Sequence, residues 1–220
     1  MALTAAAVQL TSCRLTWTAQ QYTELPALTL SAGESLAVMG PSGCGKSTWL
    51  RWLLGVPQPH VDIGGRIRLA GQEVQHLPIE QRGIGLLMQD QALFPHYSVA
   101  DNLAFALRRH SAQQAREILD EALEAVGLLH TKLKYPDQLS GGERARIGLL
   151  RAVLAAPKLI LLDEPFNALD SERRTQVRDW TFDFLAKHQI PAIIVSHYAA
   201  DLERAQQHWD WPAVQGGETP

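Results

Sequence analysis

The sequence is short of three things, and each shortage removes a class of answers. Cysteine occurs only at Cys13 and Cys44 in 220 residues; two such residues make no disulfide framework, and both fit a reducing compartment. No window reaches the roughly 18 to 20 uncharged apolar residues that a membrane span requires. The most apolar region, "IGLLRAVLAAPKLILL", is broken by Arg151 and Lys158, so any membrane role must come through a partner. Excess charge is also missing: 20 Lys and Arg stand against 23 Asp and Glu, a net −3, which offers no global electrostatic case for nucleic acid. No repeat or low-complexity segment stands out. The opening "MALTAAAVQLTSC" superficially looks like a leader with a lipid-attachment cysteine. It lacks a basic start, however, its apolar stretch is broken by Thr4 and Gln9, and the residues that follow alternate like a strand.

What is present suffices for a buried core. A chain 46% hydrophobic and 20% charged reads as one globular domain, or one domain with a subdomain. The short apolar run "ESLAVM" (34–39) leads into the glycine-rich "GPSGCGKST" (40–48), and Lys46–Leu54 then read as a helix closed by Gly55 with Pro57 beyond it. Further runs at 66–70, 83–88, 158–163 and 192–196, with helical segments at 141–155 and 171–187, alternate in the way that implies a mostly parallel sheet flanked by helices. Between 90 and 138 the texture changes. "SVADNLAFAL" and "AQQAREILDEALEAVG" are amphipathic and helical, the second with Ile118, Leu119, Ala122, Leu123 and Val126 on one face and Gly127 as a stop. This stretch reads as a helical subdomain inserted into the α/β core.

The chemistry-bearing residues lie at the ends of these runs. "GPSGCGKST" satisfies G-x-x-x-x-G-K-[ST]: Gly40, Pro41, Ser42, Gly43, Cys44, Gly45 and Thr48 shape a loop whose glycines let the backbone approach phosphate oxygens. Lys46 offers an ammonium to the outer phosphates, and Ser47 offers a hydroxyl to Mg²⁺. "LILLDE" puts Asp163 at the carboxyl end of a buried strand, where it can hold the metal, and Glu164 beside it, where it can orient and deprotonate the water attacking a γ-phosphoryl group. The alternative for that pair is two acids capping a strand end. "AIIVSH" brings His197 to another strand terminus, where spacing leaves a catalytic and a merely solvated role equally open. In "LSGGERARIGLLRA" (139–152), Ser140, Gly141 and Gly142 open a helix, a geometry that binds phosphate through exposed N–H groups. One small chain thus carries two anion cradles.

The ordered set "GPSGCGKST", "LLMQD", "LSGGE", "LILLDEP", "NALD" and "IIVSH" resembles the ATP-binding cassette (ABC) ATPases over residues 8 to 200, and "LSGGE" directly before the acidic strand is the most specific part of the likeness. The resemblance implies an α/β P-loop NTPase fold: a mostly parallel core sheet, an N-terminal antiparallel β region and an inserted α-helical subdomain. It divides a single domain (1–220) into a nucleotide-binding core (1–89 and 139–205), a helical subdomain (90–138) and a short tail (206–220). It implies ATP and Mg²⁺ as ligands and a second copy as partner, docked head to tail so that each ATP lies between one phosphate loop and the other copy's signature helix. The second cradle is then for the neighbour's ATP. By the same carry-over, Trp17 resembles the aromatic that stacks on adenine, with a half-buried strand aromatic as its other reading. Gln89 resembles the glutamine that senses Mg²⁺ and the attacking water, Asp170 the aspartate of the loop crossing the dimer interface, and His197 the switch histidine at the γ-phosphate.

Residues 77–107 resemble the importer branch that serves sulfate, iron, polyamine, thiamine and maltose systems. This implies a groove in the 89–107 region for a short cytoplasmic helix of an integral-membrane permease, with Leu93, Phe94 and Pro95 as an apolar contact edge; internal packing of the subdomain is the other reading of all three. A periplasmic or extracellular solute-binding protein would complete the system, no nucleic acid is expected, and the chain would sit on the cytoplasmic face of the membrane. An export or lipoprotein-release system is the alternative within transport. Outside transport stand ABC ATPases of translation, DNA repair and chromosomes, which usually carry paired cassettes, long coiled coils or extra domains. Departures from the pattern are Glu143 and Ala145 where glutamines are common, and Tyr198 where an acid is common after the histidine. Beyond residue 200 the usual closing strand pair and any regulatory β-domain are expected to be missing. The transported solute is not legible in the sequence.

Overall fold

A computed structural model describes residues 7–88 and 93–215. Along the chain, β1 (Val8–Leu10), β2 (Cys13–Thr18), β3 (Gln21–Leu25) and β4 (Leu28–Leu30) precede β5 (Ser35–Met39) and α1 (Lys46–Leu54). Next come β6 (Asp62–Gly64), β7 (Ile67–Leu69), β8 (Gln72–Glu73), α2 (Ile79–Arg82) and β9 (Ile84–Leu87). Then α3 (Val99–Ala104), α4 (Ala112–Ala125) and two 3₁₀ turns lead to α5 (Gly141–Leu154). The last part holds β10 (Leu159–Asp163), α6 (Ser171–Lys187), β11 (Ala192–Val195), α7 (Ala199–Leu202) and β12 (Gln207–Asp210).

Five strands form a wholly parallel sheet in the order β12-β5-β11-β10-β9. Its central strands are uninterrupted apolar runs because both faces are covered. Along β10, Ile160 and Leu162 pack into one core with the helices, while Leu159 and Leu161 pack into a second core with the N-terminal strands. In β11, Ala192 and Ile194 likewise face the helical side, and Ile193 and Val195 the other. The N-terminal strands make two antiparallel sheets, β4-β1-β7-β8 and β3-β2-β6. The run at 66–70, grouped by its apolar character with the parallel strands, belongs to the first of these, pairing antiparallel with β1 and β8. In α4, Leu119, Ala122 and Leu123 are buried, as is Val126 just beyond its end, while Ile118 of the same expected face is half-buried; Gly127 follows with a φ of 69°.

The carboxyl end departs from expectation. Residues 207–210, expected in a tail, form β12, which extends the parallel sheet beside β5, and Gln215 bridges back to Tyr22. Alternation is the cause. Trp209 and Trp211 point to one face at period two and pack on Trp49 of α1, with centroids 6.1 and 5.9 Å away. The signal was present in "HWDWP", a strand-like repeat of tryptophans.

Candidate functional site

The phosphate loop leaves β5 and turns into α1 with its glycines in conformations other residues resist: Gly43 at φ 77° and Gly45 at φ 110°. Space is as tight as the angles. A Cβ on Gly45 would lie 2.6 Å from the Trp17 ring, and one on Gly40 would lie 2.5 Å from Trp211 Cβ. Two tryptophans therefore brace the loop, Trp17 from β2 and Trp211 from the end of the new strand. Each indole N–H is buried and, among the described residues, has no hydrogen-bond partner. Lys46 curls back over the loop, its Nζ donating to the carbonyls of Gly40 (2.7 Å) and Pro41 (2.6 Å).

Across from the loop, β10 delivers Asp163 and Glu164. Asp163 is buried, which pushes its carboxyl pKa up, and a hydrogen bond from Ser47 opposes that shift. A hydroxyl paired with a buried carboxylate is an oxygen donor set of the kind Mg²⁺ takes, so these residues fit the ion that the loop sequence implies. Glu164 holds a left-handed backbone at φ 51°, a conformation that costs on the order of 1–3 kcal/mol away from glycine. Its amide donates to Val195 of β11 (2.9 Å) and its carbonyl accepts from the Asn167 amide (3.3 Å). The result aims its carboxylate at His197, whose Nε2 is 2.5 Å from Glu164 Oε1. The other carboxylate oxygen accepts a hydrogen bond from the Asn167 side-chain amide. Sequence reasoning missed Asn167; the signal available was a polar amide three residues after the acid, on the loop that must turn away from the strand.

These side chains surround one cavity of about 310 Å³, lined by Trp17, Ser42, Gly43, Gly45, Lys46, Ser47, Thr48, Asp163, Glu164 and His197. Gln89 lies outside the described residues. Among the described residues, Ser140, Gly141 and Gly142 do not line this cavity. They open α5 with a reciprocal cap: Ser140 Oγ accepts from the Glu143 amide (3.2 Å), and Glu143 Oε2 accepts from the Ser140 amide (2.7 Å). The hydrogen bond from the Ser140 amide, with a smaller one from the Ser140 side chain, holds the Glu143 carboxyl below its usual pKa. Arg146 ties the same helix to the end of α4 through the Val126 carbonyl (2.8 Å). Asp170 caps α6, accepting from the Arg173 amide (3.0 Å).

In the region after residue 92, Leu93 takes the second of its two readings, internal packing, rather than the contact edge: it is 9% exposed and packs in the core. Phe94 is 39% exposed and meets Tyr97 and Phe105 edge to face. Arg151 lies over the Phe94 ring and Arg108 over Phe105. Among the described residues no helix is long and apolar enough to cross a membrane.

With this geometry in place, comparison with known proteins is informative. The family model described as "ABC transporter" matches residues 25–167. The sulfate/thiosulfate import ATP-binding protein CysA of Nephroselmis olivacea is 41% identical over 172 residues, covering 77% of this chain and 49% of that protein. The uncharacterized ABC transporter ATP-binding protein YnjD of Escherichia coli K12 is 42% identical over 175 residues, covering 79% of this chain and 81% of that one. The putative 2-aminoethylphosphonate import ATP-binding protein PhnT of Salmonella choleraesuis is 40% identical, covering 81% of this chain and 47% of that one. The chain thus spans about half the length of these CysA and PhnT relatives. In fold, it resembles the dimeric post-hydrolysis state of the ATP-binding cassette MJ0796 bound to ADP and Pi, with a TM-score of 0.76 over 95% of this chain and 98% of that one at 22% identity.

Proposed function

The chain belongs to the ABC transporter family, and from that premise we propose that it is the ATP-hydrolysing subunit that energises a membrane importer, acting as a head-to-tail pair of copies. The observation that carries this reading is the cavity in which Lys46, Ser47, Asp163 and the Glu164–His197 pair meet.

Each residue has a task there. Lys46 exchanges the Gly40 and Pro41 carbonyls for phosphate oxygens, trading neutral acceptors for charged ones that bind more strongly. The loop's backbone N–H groups and the N-terminus of α1 add further donors to the phosphates. Trp17, at the cavity rim, stacks on adenine. Ser47, Asp163 and Gln89 would hold Mg²⁺, which would neutralise phosphate charge. Glu164 orients the attacking water and takes its proton. His197, paired with that carboxylate, turns to the γ-phosphate once ATP arrives. The Ser140 hydroxyl and the N–H groups of Gly141 and Gly142 reach the neighbour's γ-phosphate, so closure favours ATP over ADP and hydrolysis reopens the pair. Asp170 stands on the loop that crosses between copies.

The partners follow from the same reading. Permease subunits dock at the 89–107 region, holding the chain on the cytoplasmic face of the membrane, and a periplasmic or extracellular solute-binding protein delivers the solute. The relatives' names make sulfate, thiosulfate and 2-aminoethylphosphonate the first solutes to try. The test of the catalytic reading is Glu164→Gln. It retains ATP binding by calorimetry and traps an ATP-bound dimer, while turnover falls about 10²–10⁴-fold. Hydrolysis at the wild-type rate would remove Glu164 from its role.

A further inference from the structure

Glu164 is held from both sides. Oε1 pairs with His197 at 2.5 Å, and Oε2 accepts from the Asn167 side-chain amide. Asn167 is itself fixed on its loop. Arg174 donates to the carbonyls of Phe166 (3.2 Å) and Asn167 (3.5 Å), and its guanidinium lies 4.0 Å over the ring of Tyr198, the residue after His197. The contacts therefore form a closed circuit from Glu164 through Asn167, Arg174 and Tyr198 back to His197.

We propose that Asn167 is a positioning residue that keeps the Glu164 carboxylate aimed while His197 releases it. The inference rests on the reading of Glu164 as general base. A carboxylate on a flexible stem with only one oxygen tethered can swing once that tether leaves. With Oε2 retained by the amide, the departure of His197 toward the γ-phosphate leaves the carboxylate aimed, with Oε1 oriented to accept a proton from water. The amide N–H is suited to the task because it donates without titrating and adds no charge beside the phosphates. The side chain must be a donor: a carboxylate of the same shape would repel Glu164.

The experiment compares Asn167→Asp, Asn167→Ala and Asn167→Gln in steady-state hydrolysis of Mg²⁺-ATP. In parallel, ATP-dependent dimerisation is followed by light scattering in the Glu164→Gln background. Asp and Ala are expected to lower kcat about 10–100-fold, the size of a misaimed catalytic group, with KM for ATP and dimer formation retained. Gln, which keeps the donor, is expected to recover part of the rate. A loop-shape role would tolerate the isosteric Asp, so wild-type turnover in Asn167→Asp overturns the proposal. Dimers lost on adding Asn167→Ala to Glu164→Gln would also overturn it, by assigning Asn167 to the contact between copies. The two readings fail separately: wild-type hydrolysis by Glu164→Gln alone removes the general base beneath the proposal, whereas an inactive Glu164→Gln beside an unimpaired Asn167→Asp removes only the role of Asn167.

Discussion

Trp211 meets Trp49 edge to face, with ring centroids 5.9 Å apart. The contact fastens the end of the chain to the helix that follows the phosphate loop. Trp211 is 6% exposed, and its Cβ leaves no room for a side chain at Gly40.

Trp211→Ala should therefore act on stability and on the loop together. Truncating a buried tryptophan costs roughly 3–5 kcal/mol, a fall in Tm on the order of 10 °C for a chain this long. Differential scanning calorimetry checks the first effect. A weaker ATP affinity by titration calorimetry at a temperature where the variant is still folded checks the second. An unchanged Tm would mean that the end of the chain is not fastened in this way.

Lys46→Ala should lose nucleotide affinity as well as rate. The ammonium meets the ground-state phosphates as well as the transition state, so uniform binding falls with it. The residue's own loop carbonyls, 2.7 and 2.6 Å away, show the reach of the group that would be missing. Equal ATP affinity in wild type and variant would contradict the assignment.

Ser140→Arg should leave binding at the variant's own phosphate loop nearly intact, because Ser140 lies outside that cavity's lining. It should block closure, since the bulky cation takes the place of the neighbour's γ-phosphate. Light scattering with ATP in the Glu164→Gln background reads this directly. Dimers forming equally well with and without Ser140→Arg would end the head-to-tail arrangement.

Glu143 predicts a pH dependence. Its folded pKa is lowered, chiefly by the Ser140 backbone hydrogen bond. The stabilisation is fully present above the ordinary glutamate value near about 4.3 and is lost as pH falls through the lower folded value. Wild type should exceed Glu143→Gln by a few tenths to about 1 kcal/mol at pH 7, the worth of a carboxylate at a helix N-terminus, and the gap should close in acid, once the pH is below the folded value. Parallel denaturant titrations at neutral and acid pH measure it; a gap that widens in acid would refute the capping role.

How much of this was legible beforehand depended on the range of the interaction. The phosphate loop and its helix, the apolar runs of β10 and β11, and the cap at Ser140 are encoded within a few residues. Local backbone geometry and periodicity determine them, and α1 and α6 span the residues that were read as helix, Lys46–Leu54 and Ser171–Lys187. The amphipathic face of α4 was visible for the same reason.

The sequence by itself therefore determined the phosphate loop with its flanking strand and helix, the apolar runs of the core and the amphipathic helices, and which residue types stand at their ends. Partnership between distant segments was left to the tertiary structure. The apolar run of β7 could join either a parallel or an antiparallel sheet, and its hydrogen bonds to β1 and β8 decided the matter. Residues 207–210 became a strand because β5 offered an edge and Trp49 a surface for two rings. Leu93 went inward because the helical core had room for it. The meeting of Glu164, His197 and Asn167 depends on a left-handed turn and on the adjacency of β10 and β11. A hydrogen bond or a packed ring forms only when folding brings both partners within a few ångströms, and no local pattern specifies that distance.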